Sequence, residues 1–184
     1  MFSRIDKMEH KILIAGFGGQ GVVFAGKLLA SIALKENKHV AVFVSYGAEV
    51  RGGTANSALT ISDKEIDNPI IDKPTIAMML NEPSLDRFEQ DLGENAFLIL
   101  NDSLIKRDLK RNDLKITKVP ATETATRLGN TKIANVVALG ALIKKTGIVK
   151  LGSALETLAE VLKGKENIIE INKKALQEGY DSVD

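Results

Sequence analysis

The sequence contains no cysteine and no tryptophan, and it has only two histidines, His10 and His39. Without cysteine the chain cannot form a disulfide, a thiolate zinc site or a cysteine-ligated iron–sulfur cluster. Each histidine directly precedes a predicted strand and is expected at the amino end of that strand. Nucleophile-elbow, HExxH and P-loop patterns are also missing, so we expect neither catalytic residues nor metal ligands on this chain.

The aromatic content and the net charge of the chain are low as well. Aromatic side chains make up 4 % of the chain and the formal net charge is +1, which provides neither stacking platforms nor a strong field for nucleic acid. The basic run 106–111 is interrupted by Asp108, which predicts a solvated face or turn. The sequence has neither a signal-like start nor an apolar run of about 18 residues, so we expect a cytoplasmic protein without nucleic-acid or membrane partners.

The predicted elements are those of a layered α/β fold. With 184 residues, of which 44 % are hydrophobic, the chain is long enough for one domain over residues 1–184. Buried strands alternate with apolar helices, which favours a single three-layer α/β/α domain with a Rossmann-like start. The link between the strands 39–44 and 54–62 is too short for a parallel crossover, so we expect a mixed, mostly parallel sheet with an antiparallel member. A capping-box pattern at Ser153 and Glu156 predicts a helix start there.

The most informative segment is a glycine-dense turn between a predicted strand and an apolar helix. It contains Gly16, Gly18, Gly19, Gln20 and Gly21. The spacing of Gly16, Gly18 and Gly21 fits the dinucleotide-binding fingerprint, in which bare backbone N–H groups face an anion at a helix N-terminus. The same glycines also fit a purely structural role, the close packing of the helix against the strand.

The acidic residue with which NAD-binding folds hold the ribose hydroxyls is missing from the end of the second strand. That strand ends in Ser45, Tyr46 and Gly47, and Glu49 lies beyond it. NADP remains an alternative, because Ser45 and Arg51 could bind a 2′-phosphate.

A second candidate binding segment directly follows this strand, and its candidate residues are Ser45, Tyr46, Gly47, Arg51, Gly52 and Gly53. Parallel strands deliver their following loops to one carboxyl edge, so the segments 16–21 and 45–53 should line one crevice. Two glycines leave the Arg51 guanidinium unshielded for a phosphate or carboxylate. An ion pair between Arg51 and Glu49, or a simple turn, is the alternative, and Tyr46 could either stack on an adenine or fill the loop.

Two further sets of polar residues need partners. Asn101, Asp102 and Ser103 end a buried strand and could point into this crevice, although a turn or helix cap explains them as well. Asn135 lies in an apolar helix, where an unpaired polar side chain is costly. We expect Asn135 to bond the backbone of a nearby loop, for which the glycine turn is a candidate, and contact with a ligand is the alternative.

In its two glycine-rich segments the chain resembles the gamma subunit, or gamma domain, of the 2-oxoacid:ferredoxin oxidoreductases. The similarity covers residues 11–143 and is carried by the segments 16–21, 45–53, 68–71 and 128–142. The pairing of the GGQG turn with the SYGAEVRGG loop is more specific than either motif alone. This loop is more similar to the 2-oxoglutarate or branched-chain type than to the pyruvate type.

The resemblance implies a concrete activity for the assembled enzyme. Such enzymes convert a 2-oxoacid and coenzyme A to acyl-CoA and carbon dioxide, and they pass the electrons to ferredoxin. Thiamine diphosphate, magnesium and iron–sulfur clusters are then expected on thiamine-binding and ferredoxin-like partner chains, and this chain is expected to help bind coenzyme A without being catalytic alone. The alternative function is a stand-alone NADP- or nucleotide-binding regulatory module.

Overall fold

The computed structural model describes residues 9–46 and 54–184. In chain order, its strands and helices are β1 (Glu9–Phe17), α1 (Val22–Lys35), β2 (His39–Tyr46), β3 (Thr54–Ser62), β4 (Ile76–Met79), α2 (Glu82–Phe88), β5 (Phe97–Asn101), β6 (Lys115–Val119), α3 (Ala121–Arg127), α4 (Ala134–Thr146), α5 (Leu151–Val161) and α6 (Glu166–Asp181). One-turn 3₁₀ helices lie at Glu89–Asp91 and Thr131–Ile133. Within the described residues no helix combines the length and apolar character needed to cross a bilayer.

The strands form one mixed sheet in the order β2-β3-β1-β4-β5-β6. The neighbouring strands β1, β4, β5 and β6 run parallel. Strand β3 runs antiparallel to both β1 and β2, which confirms the prediction from the short link between β2 and β3. As a consequence, β2 points in the same direction as β1, and both strands end at the same edge of the sheet.

Side-chain alternation along β1 divides the core between the two faces of the sheet. Ile12 and Ile14 are buried on the first face with residues of α1, α4, α5 and α6. Leu13 and Ala15 are buried on the second face, where Leu85 of α2 belongs to the same cluster. The sequence predicts that residues 12–15 form a strand buried on both faces, because none of them is polar and successive side chains point to opposite faces of the sheet. The structure confirms this prediction. The result is the expected three-layer arrangement, in which α2 and the segment 102–114 form the thinner layer.

A local signal sets the start of α2, whereas one predicted start, that of α5, is wrong. Asn81 caps α2, since its Oδ1 accepts from the Ser84 N–H at 2.9 Å. Helix α5 begins at Leu151 rather than at the capping box, so Ser153 lies inside its first turn. The side chain of the N-cap residue Lys150 makes no capping bond, and its backbone N–H donates to Glu36 Oε1 at 2.7 Å. A contact with the end of α1 therefore competes successfully with the local motif.

The basic run 106–111 is only partly the solvated turn that its composition predicts. The Arg107 and Arg111 side chains are 19 % and 15 % exposed, and both residues donate to the buried carboxylate of Glu89. A single carboxylate from the sequence-distant 3₁₀ turn after α2 therefore fixes the loop that covers the second face.

Candidate functional site

The carboxyl edge of the sheet opens between β1 and β4. These strands are parallel neighbours, yet the chain leaves β1 for α1 on the first face and leaves β4 for α2 on the second face. In open α/β sheets such a reversal separates the two following loops and creates a crevice, which is where ligands bind. The glycine turn forms one wall of this crevice.

The turn at residues 18–21 joins β1 to α1 and presents backbone to solvent. Gly19 and Gly21 have φ angles of 93° and 72°, which side chains other than glycine adopt only with strain. Gly21 is the N-cap of α1, and no side chain caps the helix. The first backbone N–H groups of α1 are therefore without a side-chain partner at the positive end of the helix dipole, which suits an anion.

The fingerprint glycines differ in whether the protein itself needs them. A Cβ atom at Gly16 would lie 2.8 Å from Gln20 Oε1 and 3.1 Å from Leu80 Cβ, so packing requires glycine there. A Cβ atom at Gly18 would meet no described atom within 4 Å, and Gly18 is exposed. Close packing thus explains Gly16 and leaves Gly18 open to an approaching ligand.

Gln20 bridges the two walls of the crevice. Its Oε1 accepts from the Phe17 backbone N–H at 2.7 Å and from Asn81 Nδ2 at 2.7 Å. Asn81 is also the cap of α2. The side chain that the sequence placed among the ligand-binding residues therefore ties the loop after β1 to the loop after β4, while its Nε2 makes no bond to a described residue.

Asn135 holds the glycine turn from the helical layer, as the sequence indicated. Its Nδ2 donates to the carbonyl oxygen of Gly21 at 2.9 Å, and the side chain is buried. A Cβ atom at Gly21 would overlap this Nδ2. A side chain at position 21 is therefore compatible with this packing only if the residue at position 135 is smaller or moves.

The pair can be tested with a double-mutant cycle. Gly21→Ala introduces both the overlap and a strained φ, and we expect it to lower the free energy of unfolding by about 2–4 kcal/mol. Asn135→Ala removes the bond and should cost about 1–2 kcal/mol. The double variant should be more stable than the sum predicts, because the smaller side chain at 135 makes room for the new methyl group. Urea denaturation of the four proteins measures the coupling, and simple additivity would show that the two residues do not interact.

The second candidate segment lies partly outside the described residues. Ser45 and Tyr46 are described as backbone of β2, whereas Gly47, Arg51, Gly52 and Gly53 fall outside. The strands on either side fix where the segment begins and ends, because Tyr46 pairs with Ala55 and Thr54 pairs with Phe17. Both ends therefore lie at the carboxyl edge of β1, next to the glycine turn, and the expectation that residues 47–53 line the crevice stays a prediction.

A cavity of about 240 Å³ lies on the other side of the glycine turn. It is lined by residues from five segments, namely Gly19, Gln20, Leu80, Asn101, Leu104, Thr122, Thr131, Lys132 and Ala134. Asn101 Nδ2 donates to the Leu80 carbonyl at 3.1 Å and to Thr122 Oγ1 at 2.9 Å. The end of β5 thus borders this cavity, and Asn101 fills the helix-cap role that the sequence offered as the alternative, since its Oδ1 accepts from the Thr122 N–H at the start of α3.

Sequence reasoning missed Thr122, Thr131 and Lys132. These residues carry no motif of their own, and they reach the cavity only because the helical layer returns to the carboxyl edge. The segment 128–142, one of those that carry the family resemblance, was the one sequence signal that could have directed attention to this region. Among residues 9–46 and 54–184 no group of three or more histidine, aspartate or glutamate side chains could hold a metal ion.

Comparisons with known proteins find a family model and several relatives. A family model described as pyruvate ferredoxin/flavodoxin oxidoreductase matches residues 11–182. The 2-oxoglutarate synthase subunit KorC of Methanocaldococcus jannaschii is 36 % identical over 185 residues, which cover 98 % of this chain and 97 % of KorC. The ketoisovalerate oxidoreductase subunit VorA of Methanothermobacter marburgensis is 37 % identical over 175 residues. These residues cover 94 % of this chain but only 36 % of VorA, so the chain spans about a third of that relative.

A solved structure shows the same fold. The gamma subunit of a keto/oxoacid ferredoxin oxidoreductase from Geobacter sulfurreducens superposes with a TM-score of 0.82. It is 29 % identical in sequence, and the match covers 94 % of this chain and 96 % of that subunit. The mixed sheet and its helical layers are thus shared with a gamma subunit over nearly the full length of both chains.

Proposed function

Since this chain belongs to the pyruvate ferredoxin/flavodoxin oxidoreductase family, we propose that it is the gamma subunit of a 2-oxoacid:ferredoxin oxidoreductase and helps to bind coenzyme A. The assembled enzyme oxidatively decarboxylates a 2-oxoacid, transfers the acyl group to coenzyme A and reduces ferredoxin. The chain acts as one domain, which the family match over residues 11–182 supports, and we place the complex in the cytoplasm.

The open space at Gly18 is the observation that supports a role in coenzyme A binding. Packing accounts for Gly16 and Gly21, but no described atom lies where a Gly18 side chain would be. Bare backbone beside the uncapped N-terminus of α1 can approach a phosphate closely. Coenzyme A carries phosphates at its adenosine end, so this end binds at the turn while the thiol arm extends toward a partner subunit.

The remaining cofactors belong to partner chains in this proposal. The sequence lacks the cysteines that iron–sulfur clusters need, and among the described residues no three histidine, aspartate or glutamate side chains are grouped so that they could hold a metal ion. Thiamine diphosphate, when bound on a partner, supplies the chemistry that splits off carbon dioxide. This chain contributes orientation of coenzyme A and the surface on which thiamine-binding and ferredoxin-like subunits assemble.

We assign 2-oxoglutarate as the substrate, and a branched-chain 2-oxoacid is the second candidate. The match to KorC supports the first assignment because it extends over nearly all of both chains. The similarly high identity to VorA supports the second. Reconstituted complex assayed with 2-oxoglutarate and with 3-methyl-2-oxobutanoate separates them, since the true substrate should have the higher kcat/KM.

Arg51→Ala in the reconstituted complex tests the coenzyme A site. Loss of a charge-assisted bond to a phosphate should raise the KM for coenzyme A about tenfold or more, with a smaller effect on kcat. Arg51→Lys should restore part of the affinity, because lysine keeps the charge but not the bidentate fork. Steady-state kinetics over a full coenzyme A titration measures both parameters.

Arg127→Ala is the matched control. Arg127 is 65 % exposed and pairs with Glu178 on the outer helices, so its loss should leave the KM for coenzyme A unchanged. An unchanged KM in Arg51→Ala would remove Arg51 from the site. Tight NADPH binding by the isolated chain, together with failure to assemble with thiamine-bearing subunits, would favour the regulatory module instead.

A further inference from the structure

Two rows of apolar side chains cross the sheet in register from β1 through β3 to β2, namely Ile12, Leu59 and Val42 on the first face and Leu13, Ala58 and Phe43 on the second. Ile12 and Leu59 are fully buried, whereas Val42 is 39 % exposed. Leu13 is 6 % exposed, whereas Phe43 is 50 % exposed. Strand β2 is the edge of the described sheet, so both rows lack the neighbour that would bury their last member.

The opposite edge of the sheet, β6, carries features that discourage further pairing. It has only five residues, Lys115 and Lys118 on it are exposed, and Pro120 follows at once. Short length, lysine and proline are the usual protection of an edge strand. Strand β2 has eight residues, and its segment 40–44 contains neither a charged residue nor proline. An unprotected apolar edge of this kind accepts a further strand.

Helix α1 adds apolar surface beside this edge. Leu34 in its last turn is 58 % exposed. The next residue, Lys35, pairs with Glu156 and Glu160 of α5, and successive residues of a helix point about 100° apart, so Leu34 points away from α5. The turn after α1 is tight, because the Lys38 N–H donates to the Ala33 carbonyl at 3.0 Å. Strand β2 therefore begins close to Leu34.

The size of this surface and the lengths of two relatives favour one occupant. Eight residues of strand are roughly 26 Å long, and a single strand edge falls short of the roughly 800 Å² per partner of a stable interface. A partner that also contacts other parts of the chain is therefore favoured over a second copy. The matched residues make up 97 % of KorC but only 36 % of VorA. In VorA a covalent link holds this domain to the rest of the chain, whereas a chain of the length of KorC needs an interface.

We infer that the β2 edge, together with Leu34, is the docking surface for the subunit that corresponds to the rest of VorA. An extended segment of that subunit pairs with β2 as a seventh strand. The segment is uncharged and apolar on both faces, because it continues the row of Val42 on one face and the row of Phe43 on the other. The inference rests on the proposed function for the existence of that subunit, whereas the unprotected edge is a property of this chain.

Hydrogen exchange of the full chain, free and in the reconstituted complex with that subunit, tests the docking surface. Amides of residues 40–44 should exchange about tenfold or more slowly in the complex, and those of β6 should not change. Phe43→Lys should raise the Kd of assembly about tenfold or more, because it places a charge in a desolvated row. Ile116→Lys is the matched control, since Ile116 is 43 % exposed on the protected edge, and its Kd should stay the same.

Each outcome decides the inference. Slower exchange of β2 in the complex together with weaker assembly of Phe43→Lys supports it. Assembly without a change at β2, or an equal Kd for both lysine variants, overturns the docking surface and leaves the proposed function standing. If β2 exchanges slowly in the free chain, analytical ultracentrifugation shows either a dimer that Phe43→Lys dissociates or a monomer that covers its own edge, and both overturn the inference. If the wild-type chain does not assemble with a thiamine-binding subunit at all, the proposed function fails and the docking surface fails with it.

Discussion

Gly179→Ala is expected to destabilise the protein by about 3 kcal/mol or more, although alanine is the better helix former. Gly179 of α6 lies against α4 so closely that a Cβ atom would overlap the carbonyl oxygen of Val137. The obstructing atoms are backbone, so the two helices must separate, and overpacking of this kind costs about 1–3 kcal/mol or more. Gly140 of α4 faces the Leu176 carbonyl in the same way, and Gly140→Ala should have a similar effect. Urea denaturation measures the free energy of unfolding.

The same substitution at Gly152 is the control. Gly152 lies in the first turn of α5, and a Cβ atom there would meet nothing within 4 Å. Helix propensity alone then acts, and Gly152→Ala should stabilise the protein by about 0.5–1 kcal/mol. The two alanine variants should therefore change the stability in opposite directions. A Gly179→Ala protein as stable as the wild type would show that α4 and α6 are not in such close contact.

Glu89→Gln is the second substitution with a large expected effect. The Glu89 side chain is 1 % exposed and its carboxylate accepts from the Lys110 N–H at 2.5 Å, the Arg111 N–H at 2.9 Å and Arg107 Nη2 at 2.8 Å. Arg107 keeps its ion pair with Asp86 at 2.8 Å, but Arg107 Nη2 and two backbone N–H groups lose a buried ionised acceptor, so we expect a loss of about 3 kcal/mol. The amide of glutamine also places N–H groups where the loop needs acceptors.

Glu160→Gln removes a matched but exposed carboxylate. Glu160 is 65 % exposed and pairs with Lys35 at 2.7 Å, so its loss should cost less than about 1 kcal/mol. Both variants should be compared at neutral pH. The hydrogen bond to Arg111 lowers the pKa of Asp113 to about 2, so the Asp113–Arg111 ion pair is intact in this range. Equal effects of the two substitutions would show that Glu89 does not hold the 106–111 loop.

The loop 106–111, which Glu89 holds, shows a tertiary contact that the sequence alone does not reveal. The run 106–111 alternates charges and carries the composition of a solvated turn, and composition alone supports only that reading. What buries Arg107 and Arg111 is a glutamate about 20 residues earlier, whose position depends on where α2 ends. The capping box at Ser153 fails for a related reason, because Glu36 at the end of α1 accepts a hydrogen bond from the backbone N–H of Lys150, the residue before α5.

The candidate site likewise contains some features that could be predicted from the sequence and others that could not. The glycine turn, the strand ends beside it and the need of Asn135 for a partner could be predicted, because turn chemistry and burial of polar groups act on neighbouring residues. The bridge from Gln20 to Asn81 and the cavity with Thr131 and Lys132 could not. They join segments that are distant in the sequence, and Gln20 and Asn81 are 61 residues apart.

By itself the sequence determined the layered fold, the antiparallel third strand and the place of the phosphate-suited turn. It did so because strand periodicity, link length and glycine spacing are local properties of the backbone. Only the tertiary structure decided which glycines the protein's own packing requires, and that Asn135 is the partner of Gly21 across 114 residues. Those features depend on how the elements stack, since a contact between α4 and the turn exists only after the sheet has placed both at one edge.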